Sequence, residues 1–181
     1  AYLLPVLEQM IEQFPFRIRG SHSDNGSEFI NHTVAKLLDK LLVEQTKSRP
    51  RRSSDNGLVE CKNGAVIRKH MGYGHIAAEH AEAINAFYQQ HFNPYLNFHR
   101  PCGVAEERIN ENGKRRKVYL WYATPWEILR QLPDVARHLK ADLTIAELNE
   151  VGCVESDTAC ARRMQAAKRK LFRHLHPRRS A

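Results

Sequence analysis

The apolar residues Leu3, Leu4, Leu7, Met10, Ile11 and Phe14 recur at helical spacing, and Pro5 falls in the first turn, where a missing N–H costs little. They predict a short opening helix over Tyr2 to Gln13. Phe16-Arg17-Ile18-Arg19 alternates with period two and favours β-structure, so a strand ending near Gly20 is expected, followed by a sharp turn at Ser23-Asp24-Asn25-Gly26. Val34, Leu37, Leu38, Leu41 and Leu42 then repeat at i, i+3, i+4, i+7 and i+8, with Lys36, Asp39 and Lys40 opposite. This is an amphipathic helix, capped by Asn31 or Thr33, whose apolar stripe packs on a core expected to be a sheet.

Val43 to Thr46 reads as a brief strand and Lys47 to Ser54 as a basic loop. Asp55 is placed to cap a helix from Asn56 through Lys69, with Leu58, Val59, Cys61, Ala65 and Val66 as its buried side. Ile76 to Phe92 predicts a further amphipathic helix that stops before Pro94. A change of character after Asn97-Phe98-His99-Arg100-Pro101 divides the chain into 1–100 and 101–181. Beyond it, Arg108-Ile109, an Asn112-Gly113 turn and Lys117 to Tyr122 read as a hairpin with basic residues at its bend. Thr124-Pro125 opens a short helix through Leu132, and Thr144 to Val151 is weakly helical. Ser156 or Asp157 caps a last basic helix with Met164, Leu171 and Leu175 as its packing stripe.

Composition adds little until the charges are placed. A chain of 181 residues, 42% hydrophobic and 27% charged, is an ordinary folded protein of one or two units. No run approaches the roughly eighteen apolar residues of a membrane-spanning helix, and the first ten residues lack a basic n-region, so a cytoplasmic protein with no membrane partner is expected. The formal charge is +8, from 28 Lys and Arg against 20 Asp and Glu. Arg162, Arg163, Lys168, Arg169, Lys170, Arg173, Arg178 and Arg179 follow Cys160 without an acid among them, so this tail carries the whole excess. Such a block favours a polyanion through counterion release, although basic tails are also simply solvated ends. Cys61, Cys102, Cys153 and Cys160 form no C-x-x-C, so reduced, packed thiols are expected and zinc ribbons are disfavoured. His70, His75 and His80 step by five residues, about 500° on a helix, and so diverge.

The chemistry rests on two carboxylates. Asp24 closes a strand, and Glu60 lies on a later helix with 35 residues between them. A carboxylate at a strand's end can meet one on a helix packed beside the same sheet, and oxygen ligands of this kind suit Mg²⁺. Two such ions about 3.5–4 Å apart stabilise both the attacking and the leaving oxygens of a phosphoryl displacement. Arg49, Arg51 and Arg52 before the helix, and Lys62, Asn63, Arg68 and Lys69 along it, are candidates to hold a polyanionic substrate.

Ser23-Asp24-Asn25-Gly26-Ser27-Glu28-Phe29, the 35-residue interval, Asp55-Asn56-Gly57-Leu58-Val59-Glu60-Cys61-Lys62-Asn63-Gly64 and the later Thr124-Pro125 resemble the integrase core of DDE-type insertion-sequence transposases. The resemblance covers Ala1 to Gly103, and more loosely the rest. It implies an α/β, ribonuclease H-like integrase core followed by a small C-terminal extension of mixed hairpin and helix. It further implies three carboxylates binding two Mg²⁺ or Mn²⁺ ions for DNA 3′-end cleavage and strand transfer. Asp24 is then the second acid and Glu60 the third. DNA is the partner, a homo-oligomer is implied for the full-length protein, and the location is nucleoid-associated.

In that family the first Asp lies on the first strand, ahead of the helix that Tyr2 to Gln13 resembles; here only Glu8 and Glu12 precede Asp24, both on that helix. The expectation is an N-terminally truncated chain, inactive alone. The alternative is a non-catalytic DNA-binding or assembly remnant whose tail and hairpin bind DNA or sister subunits. Read without the resemblance, Asp24 is a turn former, Glu60 an exposed helix carboxylate, the Arg49 to Arg52 loop either solvated or a phosphate clamp, and Trp121 and Trp126 core anchors.

Overall fold

The computed structural model describes residues 3–23, 32–49, 55 and 63–176, and it divides after His75 into two units, Ala1–His75 and Ile76–Ala181. The expected boundary at 100/101 falls inside the second unit. The reason is packing: the helical segment Tyr95–His99 lies against the helices that follow it in the chain.

In the first unit, helix α1 (Leu3–Gln13) leads to strand β1 (Gly20–Ser23), helix α2 (His32–Lys40) and strand β2 (Glu44–Lys47). The strands pair in parallel, from Gly20 opposite Glu44 to Ser23 opposite Lys47. The strand expected at Phe16–Arg19 is thus displaced to the polar segment that follows it. Phe16 and Ile18 instead serve packing: Phe16 lies 5.1 Å from Phe14, and Ile18 joins Leu7 against a core of Val34, Leu38 and Val43. The ladder begins only where Glu44 N donates to Arg19 O at 2.8 Å.

Leu41 and Leu42 leave the predicted stripe because α2 ends at Lys40. Leu42 N donates to Asp39 O at 3.0 Å and Val43 N to Leu38 O at 2.8 Å. Leu42 itself takes φ 55°, the left-handed conformation of a Schellman turn, and is 89% exposed. The turn drops Val43 beside Leu38 in the core and aims β2 back along β1.

Helix α3 spans 63–71, as π-type turns over Asn63–Arg68 followed by Lys69–Met71. Ala65 is exposed and Val66 half-buried, against the expected buried face; Met71 is buried instead. π-type winding carries more residues per turn than the 3.6-residue period on which that face was read. Leu58, Val59 and Cys61 lie outside the described residues.

In the second unit, helix α4 runs over 78–99 and passes through Pro94 rather than stopping before it. Pro94 sits at φ −57°, and the π-type turns Tyr88–Phe92 and Tyr95–His99 on either side accommodate its missing donor. Strands β3 (Cys102–Ile109) and β4 (Arg115–Ala123) form the predicted hairpin, turning at Gly113 with φ 71°. Helix α5 (Pro125–Leu129) begins in a capping box between Thr124 and Glu127 and ends short of the expected Leu132. Helix α6 (Ile145–Cys153) repeats that device with Thr144 and Glu147. Ser156 caps helix α7 (Asp157–Leu175).

Two apolar clusters meet on α4. Trp126, Leu139 and Leu148 pack with Phe98, while Phe87 and Phe92 stack at 5.7 Å. Cys160, Met164, Leu171 and Leu175 form the buried face of α7. Trp126 is thus a core anchor, its Nε1 donating to Asn149 Oδ1 at 3.1 Å, whereas Trp121 stays 37% exposed on β4 and donates to Glu106.

Candidate functional site

The carboxyl end of β1 is the place to which the acidic signature points. Ser23 ends the strand and Asp24 is the next residue in the chain. The strand end is pinned: Ser23 O accepts from Ser48 N at 3.0 Å and from Ser48 Oγ at 3.4 Å. His22 contributes both ring nitrogens, Nδ1 to Thr46 Oγ1 at 2.9 Å and Nε2 to Ser48 Oγ at 3.2 Å. Ser48 is buried, so this small polar network ties β1 to the exit of β2. Ser23 Oγ is itself buried with no hydrogen-bond partner among the described residues.

Asp24, Glu60, Arg51, Arg52 and Lys62 lie outside the described residues. Of the remaining candidates, Asn63, Arg68 and Lys69 are exposed on α3, and the Arg68 guanidinium lies over the Tyr73 ring at 5.5 Å. Arg49 is brought to a partner that the sequence did not signal. Its Nη2 donates to Asp55 Oδ1 at 2.8 Å, its Nε to Oδ2 at 2.9 Å and its backbone N to Oδ2 at 3.0 Å. Asp55, expected as a helix cap, gives its carboxylate to this clamp. The Arg49 side-chain bond, then its backbone bond, hold Asp55 far below the usual carboxylate range, and Asp55 in turn raises Arg49. A guanidinium compensated in this way is a weaker phosphate ligand than a free one.

The chain is similar to y4rM, an uncharacterized protein of Sinorhizobium fredii, with 37% identity over 118 residues, 65% of this chain and 33% of the relative. It therefore spans about a third of that relative's length. No family model matches the chain, and no solved structure matches it.

Both ring nitrogens of His22 are thus engaged by hydroxyls. No helix among the described residues is long and apolar enough to cross a membrane.

Proposed function

We propose that the chain carries part of the catalytic core of a DNA transposase or integrase, with Asp24 and Glu60 as the carboxylates that would hold Mg²⁺ or Mn²⁺. One observation carries the reading: β1 and β2 are parallel, α2 lies between them in the chain, and Asp24 follows the carboxyl end of β1. In open α/β sheets, ligands gather outside the carboxyl ends of parallel strands. A bound divalent ion there supplies positive charge to the attacking and leaving oxygens of a phosphodiester. The chain's own contribution is to hold and orient: the His22, Thr46 and Ser48 network fixes the strand end from which Asp24 departs. Arg68, Lys69 and Asn63 on α3, with Arg51, Arg52 and Lys62, are assigned to the DNA backbone. DNA is substrate and partner, and the complete protein acts as a homo-oligomer in this reading.

The test is Asp24→Asn in the complete reading frame that encodes this chain. Mg²⁺-dependent cleavage and joining of DNA should be abolished while DNA affinity is largely kept. Joining that survives the substitution removes Asp24 from the site and the proposal with it.

A second reading, a DNA-binding or assembly module without catalysis, is favoured by α7. Its exposed Arg162, Arg169 and Arg173 lie opposite the buried Cys160, Met164 and Leu171 face. Under this reading the complete protein binds DNA but cuts none with any divalent ion supplied.

A further inference from the structure

In the second unit, one imidazole, one carboxylate and one thiol converge from separate parts of the chain. His99 ends α4, Glu155 lies in the turn between α6 and α7, and Cys160 sits in the first turn of α7. A ligand atom from each lies within 4.8 Å of the other two. His99 is 4% exposed and Cys160 0%. His99 Nδ1 lies 3.0 Å from Asp157 Oδ1, so a carboxylate holds the ring through one of its nitrogens. A carboxylate in that place is the usual outer support of a metal-bound imidazole. None of these groups belongs to the strand-end site.

We propose that His99, Glu155 and Cys160 form a Zn²⁺ site, supported by Asp157. Thiolate, imidazole and a single carboxylate are a borderline-soft set that selects zinc over Mg²⁺, and three protein donors leave the fourth tetrahedral position to water. Cys160 binds as thiolate: its S–H proton passes to solvent as the sulfur–zinc bond forms. Thiolate and Glu155 carboxylate then neutralise the dication, and Arg163 and Asp157 balance one another. Arg163 engages Glu155, and its Nη2 lies 3.7 Å from Cys160 Sγ. Its Nη1 also reaches Gln90 O at 3.4 Å and His91 Nδ1 at 3.1 Å, so the guanidinium keeps partners on α4 when Glu155 turns to the metal. The ion ties the end of α4 to the start of α7, the two helices that share the core of this unit.

Titration of the reduced, metal-free 181-residue chain with Co²⁺, a coloured probe of zinc sites, tests this. One equivalent should bind with a thiolate-to-cobalt charge-transfer band that Zn²⁺ displaces. The band should vanish in Cys160→Ser and His99→Ala and persist in Cys102→Ser and Cys153→Ser. Asp157→Asn should keep the band but weaken affinity about 10- to 100-fold. A wild-type chain without the band, or a Cys160→Ser chain that is folded by circular dichroism and keeps it, overturns the site. Should the two ligand variants fail to fold, Asp157→Asn decides, and unchanged cobalt affinity in that variant overturns it.

Discussion

The Arg49 guanidinium holds Asp55 at two points, Nη2 to Oδ1 at 2.8 Å and Nε to Oδ2 at 2.9 Å, in a stretch of sequence rich in other cations. Because Asp55 titrates far below the usual range in the folded protein, the stability this pair adds is complete above the unfolded carboxyl value of about 3.9. It is lost as pH falls from there toward the folded value. Asp55→Asn should therefore destabilise the first unit at neutral pH, less so in about 1 M salt, which shortens the screening length. The deficit should disappear in strong acid. Urea midpoints of both proteins, followed from neutral pH into acid, check this; a gap that stays constant across the range assigns the loss to something other than the ion pair.

Leu42 occupies a left-handed position that glycine fills at little cost, and its side chain is 89% exposed. A non-glycine residue there carries a penalty on the order of 1–2 kcal/mol, while glycine's extra freedom in the unfolded chain gives part of that back. Leu42→Gly should stabilise the first unit by about 1 kcal/mol, seen as a raised denaturation midpoint. The same substitution at Leu38, which is 5% exposed, should do the opposite by opening the core.

What was legible in the sequence was local. Thr124-Pro125 announced its helix because a capping hydroxyl and an N-terminal proline act over three or four residues, and Asn112-Gly113 announced the hairpin because glycine there accepts φ 71°. Leu41 and Leu42 misled because the apolar repeat continues past the residue where the hydrogen-bond ladder stops. Gly20–Ser23 was missed as a strand because a polar segment becomes β by pairing with Glu44–Lys47, a partner supplied only by the fold. Arg49 with Asp55, and His99 with Glu155 and Cys160, were invisible for the same reason: no short spacing encodes them. The acidic pair behind the proposed nucleotidyl-transfer reading rests on the family resemblance, not on periodicity.

Thr144 and Glu147 close a capping box on α6: Thr144 Oγ1 accepts from Glu147 N at 3.2 Å, and Glu147 Oε2 accepts from Thr144 N at 2.8 Å. Thr144→Ala should cost about 1 kcal/mol. The bond from the Thr144 hydroxyl, then that from its backbone N–H, lowers the Glu147 carboxyl, so part of the cap's contribution is present above the unfolded glutamate value and fades as pH falls through the folded one. Thermal melts of wild type and variant should converge toward acid. Melts that remain parallel at every pH assign the cost to lost helix geometry rather than to the carboxylate.

On α7, Arg162, Arg169 and Arg173 are spaced by seven and four residues and share one exposed face, at about 100° per residue nearly opposite the buried Cys160, Met164 and Leu171. Neutralising the three to Gln leaves that buried face untouched, so the melting temperature should hold within a degree or two by the usual tolerance of exposed sites. If this ridge lies along a DNA backbone, affinity should fall together with its salt dependence, the slope of log K against log salt shrinking by roughly 0.9 for each phosphate no longer neutralised. Binding isotherms at several salt concentrations measure both quantities. An affinity that drops with no change in slope points to a cause other than phosphate neutralisation, and an unchanged affinity places the DNA elsewhere on the chain.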